Sequence, residues 1–222
     1  MAASKAFISW SSGKDSAFAH YTAQQSGEVE IAGLLTTVSE IYNRVAMHGV
    51  RAELLDRQVA ALRLPLIKVS LPNPCSNEIY EAKMEVACAQ IKAQGVHQIV
   101  FGDLFLEDLR AYRIEKLAAA GMEAVFPLWK RDTAALAREM IATGIVAHVT
   151  CVDPRRLDRR FAGRRFDDGF LNDLPRDVDP CGENGEFHTV VSAGPMFAAP
   201  IPVSVGAVVE REGFVFADVI PN

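Results

Sequence analysis

KAFISWSSGKDSAFAHYTAQQSG, residues 5–27, decides the fold. Its opening, KAFISW (5–10), is a short apolar run bounded by Ser and Gly, the pattern of a buried strand. From Asp15 to Gln25, Ala17, Phe18 and Tyr21 recur at helical spacing, and Gly27 closes the helix as its C′ residue. Between strand and helix lies SSGKDS (11–16). Small residues let that backbone bend tightly, so its N–H groups can face an anion, and the following helix N-terminus adds a partial positive charge. Phosphate is the natural guest. The competing reading is a helix start that merely uses Ser and Asp as caps. A Walker A loop is excluded, because the position five before Gly13 is Ile8, and GxGxxG occurs nowhere.

Outward from this segment, short apolar runs alternate with amphipathic stretches. Strands are expected at 30–38, 65–71, 97–103 and 145–152, with 122–129 extended. Helices are expected at 50–63, 76–94, 108–120 and 132–143, the last opening on Asp132 or Thr133. Such alternation implies crossover connections and a mostly parallel α/β sheet with helices on both faces. In such sheets ligands sit beyond the carboxyl ends of the strands, so the loops at 11–16, 39–49, 72–76 and 103–107 should border the site. Strand order is not encoded in the alternation. The expected division is a nucleotide-binding domain over 1–150 and a smaller α+β region over 151–222. Residues 153–180 carry seven Arg and seven Asp and read as a solvated connection with one short helix near 168–174. VSVGAVVE and FVFADV around EREG read as a terminal hairpin.

Composition narrows the class. Half of the 222 residues are hydrophobic and 23% are charged, which excludes disorder and collagen-like structure. A net charge of -5 supplies no global attraction to nucleic acid or to an anionic membrane. The cysteines at 75, 88, 151 and 181 form no CxxC pair and no zinc-type spacing, which suits a reduced compartment. The opening MAASKAFISW lacks the h-region of a leader, and no apolar stretch is long enough to span a membrane. A cytoplasmic protein is expected, with a homodimer as the default assembly.

SSGKDS resembles the PP-loop of ATP pyrophosphatases, SGGxDS, with Ser12 at the usual second glycine. MHGV (47–50), FGD (101–103), DLRAYRIE (108–115), PLW (127–129) and CGENGEFHT (181–189) follow in order. Together they resemble the diphthine–ammonia ligase family and its bacterial PP-loop relatives, over about residues 1–200. The resemblance implies a Rossmann-like fold of the HUP/PP-loop type and an AMP-forming ATP enzyme that requires Mg²⁺.

It also implies roles. Ser11, Ser12, Gly13, Lys14, Asp15 and Ser16 would hold the β- and γ-phosphates of ATP, with Gly102 near the nucleotide. Asp15 and Asp103 are candidate Mg²⁺ contacts; a capping role for Asp15 and a turn role for Asp103 compete. Arg110 and Arg113, three apart on one helical face, could steady an adenylate or an anionic substrate, or could belong to a surface network with Glu107 and Glu115. Glu183 and Glu186 flank Asn184–Gly185, a tight turn in which both carboxylates could converge for proton transfer, with His188 beside them. Cys181 stands where the family has an acid. His48 falls in a loop expected to border the site. Lys14, Asp103, Glu183 and Glu186 are the candidate catalytic residues; His48, Arg110, Arg113 and His188 are the candidate substrate contacts.

The expected reaction is ATP-dependent amidation. A carboxylate, on a small molecule or a modified protein side chain, is adenylated, and ammonia displaces AMP. Two alternatives stand beside it. One is a PP-loop enzyme that modifies tRNA or a nucleobase, which predicts an essential Cys181. The other is an ATP-binding sensor without turnover.

Overall fold

The computed structural model describes residues 3–222. The first two residues of the segment read above for a leader lie outside them. The chain runs β1 (Ser4–Ser9), α1 (Lys14–Ser26), β2 (Val29–Ser39), β3 (Arg44–Val45), α2 (Ala52–Leu62), β4 (Leu66–Leu71) and α3 (Asn77–Ala93). It continues through β5 (Gln98–Val100), α4 (Glu107–Ala119), β6 (Glu123–Val125), α5 (Thr133–Ala142) and β7 (Val146–Val152). The last part holds α6 (Asp168–Asp173), β8 (Phe187–Ala193), β9 (Val203–Arg211) and β10 (Phe214–Pro221).

Five strands pair in parallel in the order β4-β2-β1-β5-β6, and the two residues of β3 add antiparallel pairs at the end of β2. The chain first builds outward from β1 to β2 and β4. It then returns to β1's other edge for β5 and β6. That reversal places the crevice between the carboxyl ends of β1 and β5, where open α/β sheets bind ligands.

The pleat of β1 sorts its side chains to opposite faces. Ala6 and Ile8 join the core under α1 and α2, and Phe7 joins the core under α3 and α4. Burial of each large side chain contributes about 2 kcal/mol. α5 opens on Asp132, whose carboxylate accepts the Ala135 N–H at 2.7 Å, and α3 opens on Ser76, whose hydroxyl accepts from Ile79.

A second, antiparallel sheet has the order β8-β7-β10-β9. The strand expected at 145–152 therefore does not extend the parallel sheet. As β7 it pairs antiparallel with β8 and β10, because its apolar face meets Val190, Val191 and Val215 rather than another crossover strand. β9 and β10 form the expected hairpin, closed by Glu212 and Gly213 at φ 52° and 80°, the backbone of a type I′ turn. Phe18 and Leu54 share one core with Val149, Val190 and Val219, so α1 and α2 lie between the sheets. This explains why Ala17, Phe18, Ala19, His20 and Ala23 of α1 are all buried.

The 153–180 stretch is more than a solvated connection. Leu157, Phe161, Phe166, Phe170 and Val178 are buried in it, and Phe170 packs 5.1 Å from Phe187 of β8. The short helix falls at 168–173, with Asp167 capping it. Among the described residues, no helix is long and apolar enough to cross a membrane.

Candidate active site

The 11–16 loop leaves β1 and enters α1, whose N-cap, Gly13, has no side chain to cap it. Ser11 Oγ and Thr189 Oγ1 accept the Gly13 and Lys14 N–H groups, and the Asp15 and Ser16 N–H groups at this helix end remain for an anion. Ser12 takes φ 68°, in the left-handed region where the resembling motif has glycine. The Ser12 carbonyl accepts N–H groups from Val191 and from the Gln58 side chain, at 2.9 and 3.2 Å, and those bonds hold the turn. Its hydroxyl is buried without a partner.

Two close approaches fix the loop. A Cβ on Gly13 would meet His48 Cε1 at 2.8 Å. A Cβ on Gly102 would meet the backbone carbonyl carbon of Asp15 at 2.7 Å, so the end of β5 lies directly against the start of α1. FGD and SSGKDS, distant in sequence, form one surface.

Lys14 is almost wholly buried, with its ammonium 2.9 Å from an Asp15 oxygen, hydrogen-bonded to the Cys181 carbonyl and 5.2 Å from the centre of the Phe187 ring. Burial opposes its charge, but the Asp15 carboxylate and its neighbours outweigh that penalty and hold the ammonium above its ordinary range. Its backbone N–H donates to Thr189 Oγ1 at 3.1 Å, which ties β8 to the loop.

The carboxylates divide into two groups. Asp15, Asp103 and Glu183 lie near enough to act on one another. Burial raises Asp103 against the pull of Arg113, and Asp15 adds to the rise. Glu183 is pushed up to about 7, first by burial and then by Asp15 and Asp103. Its Oε1 accepts the N–H groups of Leu104 and Phe105 at 2.7 and 3.4 Å. Glu186 faces elsewhere: it is buried, and its Oε1 accepts from the Asp179 N–H and the Asn184 amide at 3.2 and 3.0 Å. The two glutamates thus do not converge. Glu183 reaches the β5 loop, and Glu186 braces the turn that presents it.

His48 Nδ1 lies 3.1 Å from the Thr189 carbonyl, which only accepts, so that nitrogen carries the proton. The His48 and His188 rings are 4.6 Å apart. Burial lowers both, His188 to about 3, so both are neutral near pH 7. Arg113 pairs with Asp103, Nε to Oδ2 at 2.6 Å, and lies 4.3 Å from the Phe101 ring centre. Arg110 lies 4.9 Å from the Trp129 ring centre and 5.2 Å from that of Phe126. Glu107 pairs with Lys130 at 2.8 Å and also feels the Arg110 charge, while Arg113 pairs with Asp103 instead of Glu107 or Glu115. The Cys181 thiol is buried and pushed well up by that burial, and it donates to the Thr133 carbonyl. It is a packed thiol without the thiolate character of a nucleophile.

Gln58 and Thr189 are positioning residues that the sequence reading missed. Gln58 is wholly buried; its carbonyl oxygen accepts from Trp10 Nε1 at 3.0 Å, and its amide donates to Ser12 and Val191. The signal was present, because Gln58 falls four after Leu54 and four before Leu62 on the apolar face of α2. The 72–76 loop, expected at the site, takes part in none of these contacts.

Among the described residues, no group of three His, Cys, Asp or Glu side chains is gathered to hold a metal alone. The donor set still suits Mg²⁺, which binds through one or two carboxylates together with substrate phosphates. Asp15 and Asp103 supply two such carboxylates beside the start of α1. Of two clefts of about 490 and 440 Å³, the first lies at the amino ends of β1, β5 and β6, and the second lies between α3 and α4 and reaches Phe101 and Arg113. The loop is marked by its donors and carboxylates, not by cavity size.

Comparison with known proteins identifies the family. Residues 4–123 match the family model of the diphthamide synthase N-terminal domain, and residues 132–217 match that of its C-terminal domain. Human diphthine–ammonia ligase is 26% identical over 197 residues, covering 82% of this chain and 72% of the relative. The bovine diphthine–ammonia ligase aligns with the same identity and coverage.

Proposed function

The chain belongs to the diphthamide synthase family, and from that premise we propose that it is an ATP-dependent, AMP-forming ligase that amidates a carboxylate with ammonia. The observation that carries the reading is the start of α1, with glycine at its N-cap, set at the β1–β5 crevice beside Asp15, Asp103 and Glu183. A triphosphate beside three carboxylates needs a cation between them, which the choice of ATP with Mg²⁺ supplies.

In this reading the 11–16 loop and the Lys14 charge hold the phosphates, and Gly102 lets the nucleotide approach the backbone. An acceptor carboxylate oxygen attacks the α-phosphorus, and the bond from that phosphorus to the bridging oxygen of pyrophosphate breaks. Asp15 and Asp103 would hold Mg²⁺, which would supply positive charge beside the leaving pyrophosphate. Ammonia then attacks the acyl carbon, the acyl–oxygen bond breaks, AMP leaves, and one proton must be taken up. Glu183, anchored on the Leu104 and Phe105 N–H groups and titrating near neutrality, is placed to take it. Positioning and charge neutralisation account for the remainder of the catalysis.

The neutral His48–His188 pair borders the loop and lines the acceptor side. The buried Cys181 thiol weighs against a sulfur-transfer role on tRNA or a nucleobase. Pyrophosphate release from ATP, followed with and without ammonium and a pool of carboxylates, tests the proposal. Release that depends on both supports it, and ATP binding without release supports a sensor.

A further inference from the structure

The segment 44–51 carries His48 and is tied at both ends to one carboxylate. Arg44 opens it and Arg51 closes it, and the two face each other as an isolated antiparallel pair. Asp218 of β10 receives both guanidinium groups. Its Oδ1 lies 3.0 Å from Arg44 Nη2 and 2.9 Å from Arg51 Nε, and its Oδ2 accepts from Arg51 Nη2. Arg44 Nη1 also donates to the Gly49 carbonyl at 2.7 Å, so the same cation holds the segment from within. Gly49 lies against Phe216, two positions before Asp218: a Cβ there would meet the Phe216 ring at 2.9 Å.

This clamp differs from a lone surface pair. One carboxylate serves two guanidinium forks, and its side chain is only 20% exposed. The Arg51 bond, followed by that of Arg44, holds the Asp218 carboxyl below the ordinary carboxylate range, so it is ionised near pH 7. The segment needs such holding, because Met47 sits in the left-handed region at φ 62°. Among the described residues, Asp218 forms ion pairs with Arg44 and Arg51 alone. What it does to the candidate site therefore passes through the segment between them.

That segment meets the site at His48. The His48 Nδ1 donates to the Thr189 carbonyl at 3.1 Å, and the ring stands 4.6 Å from that of His188. It also occupies the space beside Gly13, whose Cβ would meet His48 Cε1 at 2.8 Å. We infer that Asp218 is a positioning residue of the candidate site: through Arg44 and Arg51 it closes the 44–51 segment and seats the His48 ring against the 11–16 loop. This inference rests on the reading of that loop as the phosphate site.

The test is a double-mutant cycle on the full chain, with Asp218→Asn and His48→Ala, read by calorimetric titration with α,β-methylene-ATP and Mg²⁺. Asp218→Asn keeps the size of the side chain and removes its charge. It should weaken the analogue at least about fivefold in the wild-type background and by no more than about twofold when His48 is already alanine. A second readout needs no nucleotide: the imidazole nitrogen spectra of His48. In the wild-type chain they should show the Nδ1-protonated tautomer alone. Burial lowers this ring, with Asp15 raising it and Lys14 lowering it further. Release by Asp218→Asn should give averaged tautomers and a titration shifted up toward the ordinary imidazole range. Arg44→Gln, which removes the arm on the Gly49 carbonyl, should reproduce the change and serves if Asp218→Asn does not fold.

The inference is overturned if the two substitutions act additively on analogue affinity, if Asp218→Asn leaves that affinity unchanged, or if the His48 spectra do not move. A lower melting temperature with unchanged His48 spectra would make Asp218 a structural residue only. Failure of the analogue to bind the wild-type chain would count against the proposed function instead. The spectra would still decide whether Asp218 seats the ring.

Discussion

Glu183 Oε1 accepts the Leu104 N–H at 2.7 Å, across 79 positions of sequence. That bond joins the GEN turn of the second half to the loop after β5, and it sets Glu183 among acids in a partly buried place. The carboxyl is pushed up to about 7 by burial, with Asp15 and Asp103 adding. The sign follows from proton counting: between the ordinary carboxylate range and pH 7 the folded state binds the proton that the unfolded state has released. Glu183 therefore costs stability as pH rises through that window. Glu183→Gln mimics the neutral form. Its melting temperature relative to wild type should climb from pH 5 to pH 8, while ligase activity is lost. A constant difference across pH would remove Glu183 from the role of proton acceptor.

Ser12 occupies a left-handed backbone at φ 68°. Such a conformation costs a non-glycine residue about 1–2 kcal/mol, and glycine recovers most of it while adding freedom to the unfolded chain. Ser12→Gly should raise stability by about 0.5–1 kcal/mol in urea unfolding. Destabilisation would mean that the buried Ser12 hydroxyl, which has no partner here, is bonded in solution.

Gly102 has no room for a side chain. A Cβ there would sit 2.7 Å from the Asp15 backbone, and neither element can yield without moving the loop. Gly102→Ala should destabilise by about 2 kcal/mol or more and weaken ATP binding further than stability alone explains. Unchanged nucleotide affinity would separate β5 from the nucleotide site.

Lys14 carries the charge of the loop from a buried position. Lys14→Met keeps its length and removes its charge. ATP affinity should fall at least about tenfold, the scale of a lost charge-assisted hydrogen bond. Equal affinity for both proteins would detach SSGKDS from phosphate binding.

The local signals were legible in the sequence wherever they were short in range. KAFISW reads as a strand from its apolar run, and the start of α5 reads as Asp132 or Thr133, of which the structure makes Asp132 the cap. The 11–16 segment reads as a strand-to-helix turn from its small residues. What stayed hidden depended on contacts between distant residues. The strand order, and the transfer of β7 to the second sheet, are set by which apolar faces meet, and periodicity carries no record of that. The phenylalanines at 161, 166 and 170 sit among arginines and aspartates without a sustained spacing, so the burial of Phe166 and Phe170 against Phe187 left too short a pattern to read. Glu183 and Glu186 look equivalent around Asn184–Gly185, yet the turn sends one to Leu104 and the other to Asp179. Gln58 was legible in principle, as a polar residue on an apolar helical face.

The central claim is chemistry at the α-phosphate, and chromatography of the nucleotides formed from ATP with Mg²⁺, ammonium and a pool of carboxylates tests it most directly. The account predicts AMP and pyrophosphate in equal amounts, rising with the acceptor and abolished by Lys14→Met. ADP and inorganic phosphate as the products would contradict it.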